Sequence, residues 1–337
     1  MIEGHGDDAY RYGGRVCHNL SSNICGDVDH SALMAYLAGR GASIASYPQP
    51  EADGLRDRIA SLLGVQSGEV LVTNGATEAI YLAAHAFAGC ASAIVSPTFR
   101  EYEDACALYG HTVTHIQSLE EVKPSDGMVW MCNPNNPTGC VTDKTALLRV
   151  ISSHPGVTFM VDQAYADYTT CELLTASEAV EAGNVILLSS LTKRFSIPGM
   201  RIGYAVGPGN LLERMRRMRM PWSVNALAID AAHYLLDRSG ESVIDADGLH
   251  AEALRVRSAL ISLGLEVSST DCNFMLCRLP AGSSAQLKDW LVEEAGVLIR
   301  DASNFHGLTS SHFRIAVRPE PEVNDLFINS LKKWMSS

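Results

Sequence analysis

The chain has 337 residues, 47% apolar and 19% charged, which is enough to bury a large core and gives a prior of about two domains. Its formal charge of −12 argues against a general nucleic-acid binder, which needs cationic surface to displace counterions. Anionic small molecules stay open, because local arginines decide their binding. There is no run of 18 or more apolar residues and no signal-peptide pattern at Met1 to Asp8, so neither a membrane nor a nucleic-acid partner is expected, and a cytoplasmic home is.

In chain order, residues 1–30 show no clear period and are expected to form an arm that packs on the smaller of two domains. From about residue 55 to 206, helix-like stretches alternate with short apolar runs at 70–72, 93–95, 128–131, 157–161, 185–188 and 202–206. Runs of this kind, without alternation, read as strands covered on both faces. An α/β domain with a mostly parallel central sheet is expected over residues 31–222. Four arginines, Arg214, Arg216, Arg217 and Arg219, then read as the charged face of a helix with methionines on its other side.

Beyond Pro221 the character changes. Long helical stretches at 226–236 and 250–263 precede strand candidates at 273–278 and 313–317, around a helix near 286–295. This predicts a small α+β domain over residues 223–337. The nine cysteines form no CxxC pair, so reduced, mostly buried thiols are expected and no metal site is.

The chemistry sits at the ends of the strand candidates. After the run at 70–72 comes Asn74-Gly75-Ala76-Thr77, a glycine turn opening an amphipathic helix. Such a start is either a simple N-cap or a phosphate site built from free N–H groups, the helix dipole and the Thr77 hydroxyl. After 128–131 comes Asn133-Pro134-Asn135-Asn136-Pro137, a stiff turn at a sheet edge where open α/β sheets place ligands. After 157–161 comes Asp162-Gln163-Ala164-Tyr165, whose carboxylate either caps a helix or pairs with a protonated pyridine nitrogen. After 185–188 comes Ser189-Ser190-Leu191-Thr192-Lys193, with Arg201 eight residues on. That block is either solvated turn chemistry or a seat for a phosphorylated aldehyde. An amine can condense with the aldehyde, and a guanidinium fork suits its phosphate.

Carried in this order, the four strand ends resemble the fold-type-I pyridoxal-phosphate enzymes of the class I/II aminotransferase family over essentially the whole chain. The resemblance implies the aspartate aminotransferase-like fold, pyridoxal 5'-phosphate as cofactor, and a homodimer. It implies Lys193 as the Schiff-base lysine, Asp162 on the pyridine nitrogen, and Asn136 and Tyr165 on the ring's phenolic oxygen. It gives the phosphate to Gly75, Ala76, Thr77, Ser190, Thr192 and Arg201, a stacking place to Phe99, and a reach into the neighbouring subunit to Tyr47. Within the family the chain is similar to the histidinol-phosphate aminotransferases and the threonine-phosphate decarboxylases, which take phosphorylated amino alcohols or amino acids.

Arg300 and Arg314 are the cations expected at the substrate, Arg314 for a carboxylate and Arg300 for a phosphate. His5, in His5-Gly6, and Asn23 are further substrate candidates by resemblance to the decarboxylases. Here the decarboxylases' Gly-Gly after the histidine reads Gly6-Asp7, and the segment 21–26 also departs from their pattern. The expected reaction is decarboxylation of threonine phosphate in cobalamin biosynthesis. Transamination of histidinol phosphate or a related amino acid is the alternative, and a non-catalytic binding protein on the same fold a further one.

Overall fold

The computed structural model describes residues 7–26, 28–238 and 244–336. Its strands are β1 (His18–Asn19), β2 (Val70–Thr73), β3 (Ala91–Val95), β4 (Thr112–Ile116), β5 (Met128–Cys132), β6 (Thr158–Asp162), β7 (Val185–Ser189) and β8 (Gly203–Val206), followed by β9 (Glu266–Val267), β10 (Phe274–Arg278), β11 (Val297–Leu298), β12 (Arg300–Asp301) and β13 (His312–Ala316). Seven of them form one sheet in the order β2-β8-β7-β6-β5-β3-β4. β2, β5, β6 and β8 are buried at every residue, as unbroken apolar runs between two helical layers must be. β4 is different: Thr-Val-Thr-His-Ile alternates outward and inward at the sheet's edge. No apolar run marks it in the sequence.

One strand breaks the parallel pattern and thereby builds the site. β8 runs antiparallel to both β2 and β7, while the other neighbours pair in parallel. Thr73 therefore faces Gly203, and Ser189 faces Tyr204. The C-terminal ends of β2, β5, β6 and β7 lie on one edge, and the chain entering β8 through Arg201 arrives at that same edge. Its backbone must come close, since a Cβ on Gly203 would lie 2.8 Å from both Ala76 N and Ser189 O. Only glycine fits there.

The smaller unit is an antiparallel sheet, β12-β13-β10-β9, covered by helices Ala246–Ser262, Ser284–Ala295 and Pro321–Met335. Its core, with Phe274, Phe313 and Phe327, is continuous with the Tyr102–Trp130–Met160 face of the large sheet. The opposite face packs Val129, Phe159 and Val185 on Leu147 and Ile151. Each such side chain, once buried, contributes roughly 1.5–3 kcal/mol against exposure.

Helix Ala226–Leu236 starts at Asn225, whose side chain accepts from Ala228 N at 2.8 Å, an N-cap that sets its first turn. The sequence places this helix at the opening of the small domain. In the structure it packs on helices Ser31–Ala38 and Asp53–Leu63, sharing their core through Ala228, Ala231 and Ala232. By packing it goes with the large sheet, and the change of core falls after it rather than at Pro221.

The arm is tied to the small unit. β1 pairs in parallel with β11, Lys288 Nζ meets Asp8 Oδ2 at 2.6 Å, and Tyr12 donates to Asp289. The arginine cluster is absorbed locally: Arg216 and Arg217 reach Glu213, and Arg214 donates to Ala86 O and lies over the Phe87 ring. All nine cysteines are free thiols, five of them buried. Among the described residues no helix is long and apolar enough to cross a membrane.

Candidate active site

A cavity opens at the sheet edge where β2, β5, β6 and β7 end. Ala76, Thr77, Phe99, Asn136, Asp162, Tyr165, Ser190, Thr192, Lys193, Arg201, Asn23 and Arg314 all line it. Twelve residues singled out in the sequence are thus gathered in one place from the arm, the large sheet and β13. Ser21, Ser22, Asp7 and Cys132 join them.

Asp162 ends β6, 4% exposed. Its Oδ2 accepts from the Tyr102 hydroxyl at 2.8 Å and its Oδ1 from Ala164 N at 2.9 Å. Burial raises its pKa, and those two donors oppose the rise. Tyr102 itself was not legible as a site residue. Its signal was only the i, i+3 spacing from Phe99, against which its ring packs edge-on at 5.8 Å.

Lys193 lies on the single helical turn after β7, its Nζ 5.8 Å from the centre of the Tyr165 ring. Burial lowers its pKa to about 8; Arg314 and Arg201 push the same way, and Asp7 and Asp162 resist. The neutral amine is therefore accessible near physiological pH. Tyr165 accepts a hydrogen bond from Asn23 Nδ2 at 3.2 Å, and burial raises its hydroxyl's pKa.

Arg314 crosses from the small unit. Its guanidinium donates to Asn136 Oδ1 at 2.6 Å and to the Ser21 carbonyl, while burial lowers its pKa to about 10. It stays charged at neutral pH. Its Nε, like Asn23 Oδ1, is buried without a partner. A buried donor on a charged group is costly to leave unmade, and both residues line the cavity.

The phosphate end fits as well. The helix Gly75–Ala86 points its free N–H groups at the cavity edge through Ala76 and Thr77. Arg201 lies against Gly75, whose Cβ, were it present, would be 2.7 Å from an Arg201 guanidinium nitrogen. Gly75 thus backs the wall without lining it. The Thr192 hydroxyl is engaged with the Ile202 carbonyl at 3.3 Å.

One residue expected at the substrate, Arg300, is not brought here. Arg300 is buried but turned away, donating to the Asp301 carbonyl at 2.5 Å and to Asn304 Oδ1 at 2.8 Å; it does not line the cavity. Tyr47 is 87% exposed on its own chain and packs on Trp222 at 5.4 Å. His5 lies outside the described residues.

A lysine, a buried carboxylate and an anion cradle at the carboxyl edge of a mostly parallel sheet define a pyridoxal-phosphate enzyme of the aspartate aminotransferase-like fold. The chain belongs to the Aminotransferase class I and II family, whose model matches residues 15–331, and pyridoxal 5'-phosphate is its cofactor. L-Threonine-O-3-phosphate decarboxylase from Porphyromonas gingivalis, a solved structure, shares 37% identity at a TM-score of 0.92, over 95% of this chain and 100% of that one. The threonine-phosphate decarboxylase of Salmonella typhimurium is 30% identical over 87% of this chain and 84% of its own length. A histidinol-phosphate aminotransferase from Caldanaerobacter subterraneus is 29% identical over 86% and 84%.

Proposed function

We propose that the chain decarboxylates L-threonine O-3-phosphate, releasing carbon dioxide and (R)-1-aminopropan-2-yl phosphate, as a step of cobalamin biosynthesis. The observation that carries this reading is Arg314, a charged guanidinium that lines the cavity beside Asn136. Threonine phosphate has a carboxylate for that charge to hold, whereas histidinol phosphate has none. The likeness to the Porphyromonas decarboxylase supports the same choice.

Bound pyridoxal phosphate supplies an electron sink for the pair left at the α-carbon. Lys193 is the amine for its aldehyde, and afterwards the group that returns a proton to the α-carbon. Asp162, held by Tyr102 and Ala164 N, keeps a negative charge for the pyridine nitrogen. Tyr165 and Asn136 suit the phenolic oxygen, with Phe99 over the ring. Ala76, Thr77, Ser190 and Arg201 suit the phosphate. Arg314 fixes the carboxylate's direction, and direction selects the bond that breaks.

The second reading, transamination of histidinol phosphate or a related amino acid with 2-oxoglutarate, is favoured by the Caldanaerobacter relative. One assay separates the two: incubation with threonine phosphate in parallel with and without 2-oxoglutarate. Carbon dioxide release is expected; amino transfer to 2-oxoglutarate instead would overturn the decarboxylase.

The working unit is proposed to be a homodimer. Ile44, Tyr47, Met220 and Trp222 are exposed apolar side chains, and all but Met220 line one groove. A patch of this kind marks an interface, and it would carry Tyr47 to the other subunit's phosphate site. The enzyme is proposed to work in the cytoplasm.

A further inference from the structure

Away from the cavity, two imidazoles and a carboxylate converge where the edge of the large sheet meets the small one. Glu103 comes from helix Glu101–Leu108, His115 from β4, and His306 from the turn after β12. One ligand atom of each lies within 4.8 Å of the others. His115 Nε2 is 3.7 Å from Glu103 Oε1, and the two imidazoles stack with centroids 3.4 Å apart.

One nitrogen of His115 is engaged and the other faces the cluster. Ser96 Oγ is hydrogen-bonded to His115 Nδ1 at 2.8 Å, which orients the ring. With Nδ1 engaged, Nε2 is the nitrogen turned toward Glu103. A metal ion answers all three groups together.

We propose that Glu103, His115 and His306 form a binding site for a borderline divalent cation of the zinc class, completed by water. Two imidazoles and one carboxylate are a donor set that suits such an ion. Ser96 is the outer partner that orients its first ligand. Ligand bonds of about 2.0–2.2 Å set donors roughly 3.4 Å apart around a tetrahedral ion. The cluster must therefore draw in by about an ångström, and His306, exposed on its turn, swings from face-on to edge-on to do so. An ion held here ties β4 and its covering helix to the turn after β12. That same seam is crossed by Arg100, which donates to the Asn304 carbonyl at 3.0 Å, next to the cavity residue Phe99.

The test uses untagged holoenzyme freed of metal with EDTA and titrated with Co²⁺, following its visible d–d bands. One equivalent per chain with the strong bands of a four-coordinate ion is expected, displaced by Zn²⁺. H306A and E103Q should each weaken binding at least about tenfold; His306 is exposed, so its loss leaves the fold in place. Zn²⁺ at a hundredfold excess over the parent's Kd should raise Tm by about 4 °C in the parent and by no more than about 2 °C in H306A. Equal isotherms for parent and H306A, or no bands at millimolar Co²⁺, overturn the site. Sulfur-to-cobalt charge-transfer bands would put the ion on a cysteine and overturn it equally.

Discussion

Lys193 must do two things that pull against each other, sit in a dry cavity and offer an amine. Its folded pKa of about 8 lies below the ordinary 10.5. Between those values the unfolded chain holds a proton that the folded chain has released, so the cofactor-free protein gains stability as pH rises through that window. Lys193→Met removes the buried charge. Without cofactor it should melt higher than the parent at pH 7, by on the order of 1–2 kcal/mol once cavity water is allowed for, and the gap should close toward pH 10. Melting curves of both apo proteins at the two pH values check this, and a constant gap would refute it. Arg314→Lys keeps a charge but not the fork. It should raise the KM for threonine phosphate about 10- to 100-fold while the holoenzyme's absorption spectrum stays unchanged; a lost spectrum would instead make Arg314 a cofactor residue.

At the scale of elements, the left-handed turn at Gly75 (φ +74°) lets Arg201 close over the start of a helix. Gly75→Ala forces a Cβ into that guanidinium and strains the backbone by about 1–2 kcal/mol. Cofactor affinity should fall at least about tenfold, read by fluorescence titration, with a lower Tm. β2, β5, β6 and β7 were legible because burial on both faces demands unbroken apolar runs, and Asn136, Asp162 and Lys193 were legible because each follows such a run. β4 was hidden by its threonines and histidine, which an edge strand can show to water. Two-residue strands such as β1 and β12 carry no period at all. Tyr102 reaches Asp162 through helix packing, which no local pattern encodes. Arg300 is expected at substrate from its type, yet unlike Arg314 it does not reach the cavity wall. Glu103, His115 and His306 stand too far apart in sequence for any ligand spacing to reveal them.

For the whole molecule, the proposed dimer predicts complementation. Tyr47→Ala homodimers should bind cofactor weakly and Lys193→Ala homodimers should be inactive. Mixed after unfolding and refolding together, they should regain activity, because one subunit of each heterodimer holds Lys193 and receives the other's Tyr47. No gain above the separate proteins would place Tyr47 outside the site. A last consequence follows from the arm. Ala316 N donates to the Leu20 carbonyl at 2.9 Å and Arg314 to that of Ser21, so the first and last parts of the chain meet over one cavity. A ribosome delivers residues in order. Lys193 and Arg201 emerge into a cavity that has a floor but no far wall until β13 follows. Nascent chains stopped before Arg314 should accordingly lack the spectrum of the loaded enzyme, which makes cofactor uptake an event that follows synthesis rather than one that guides it.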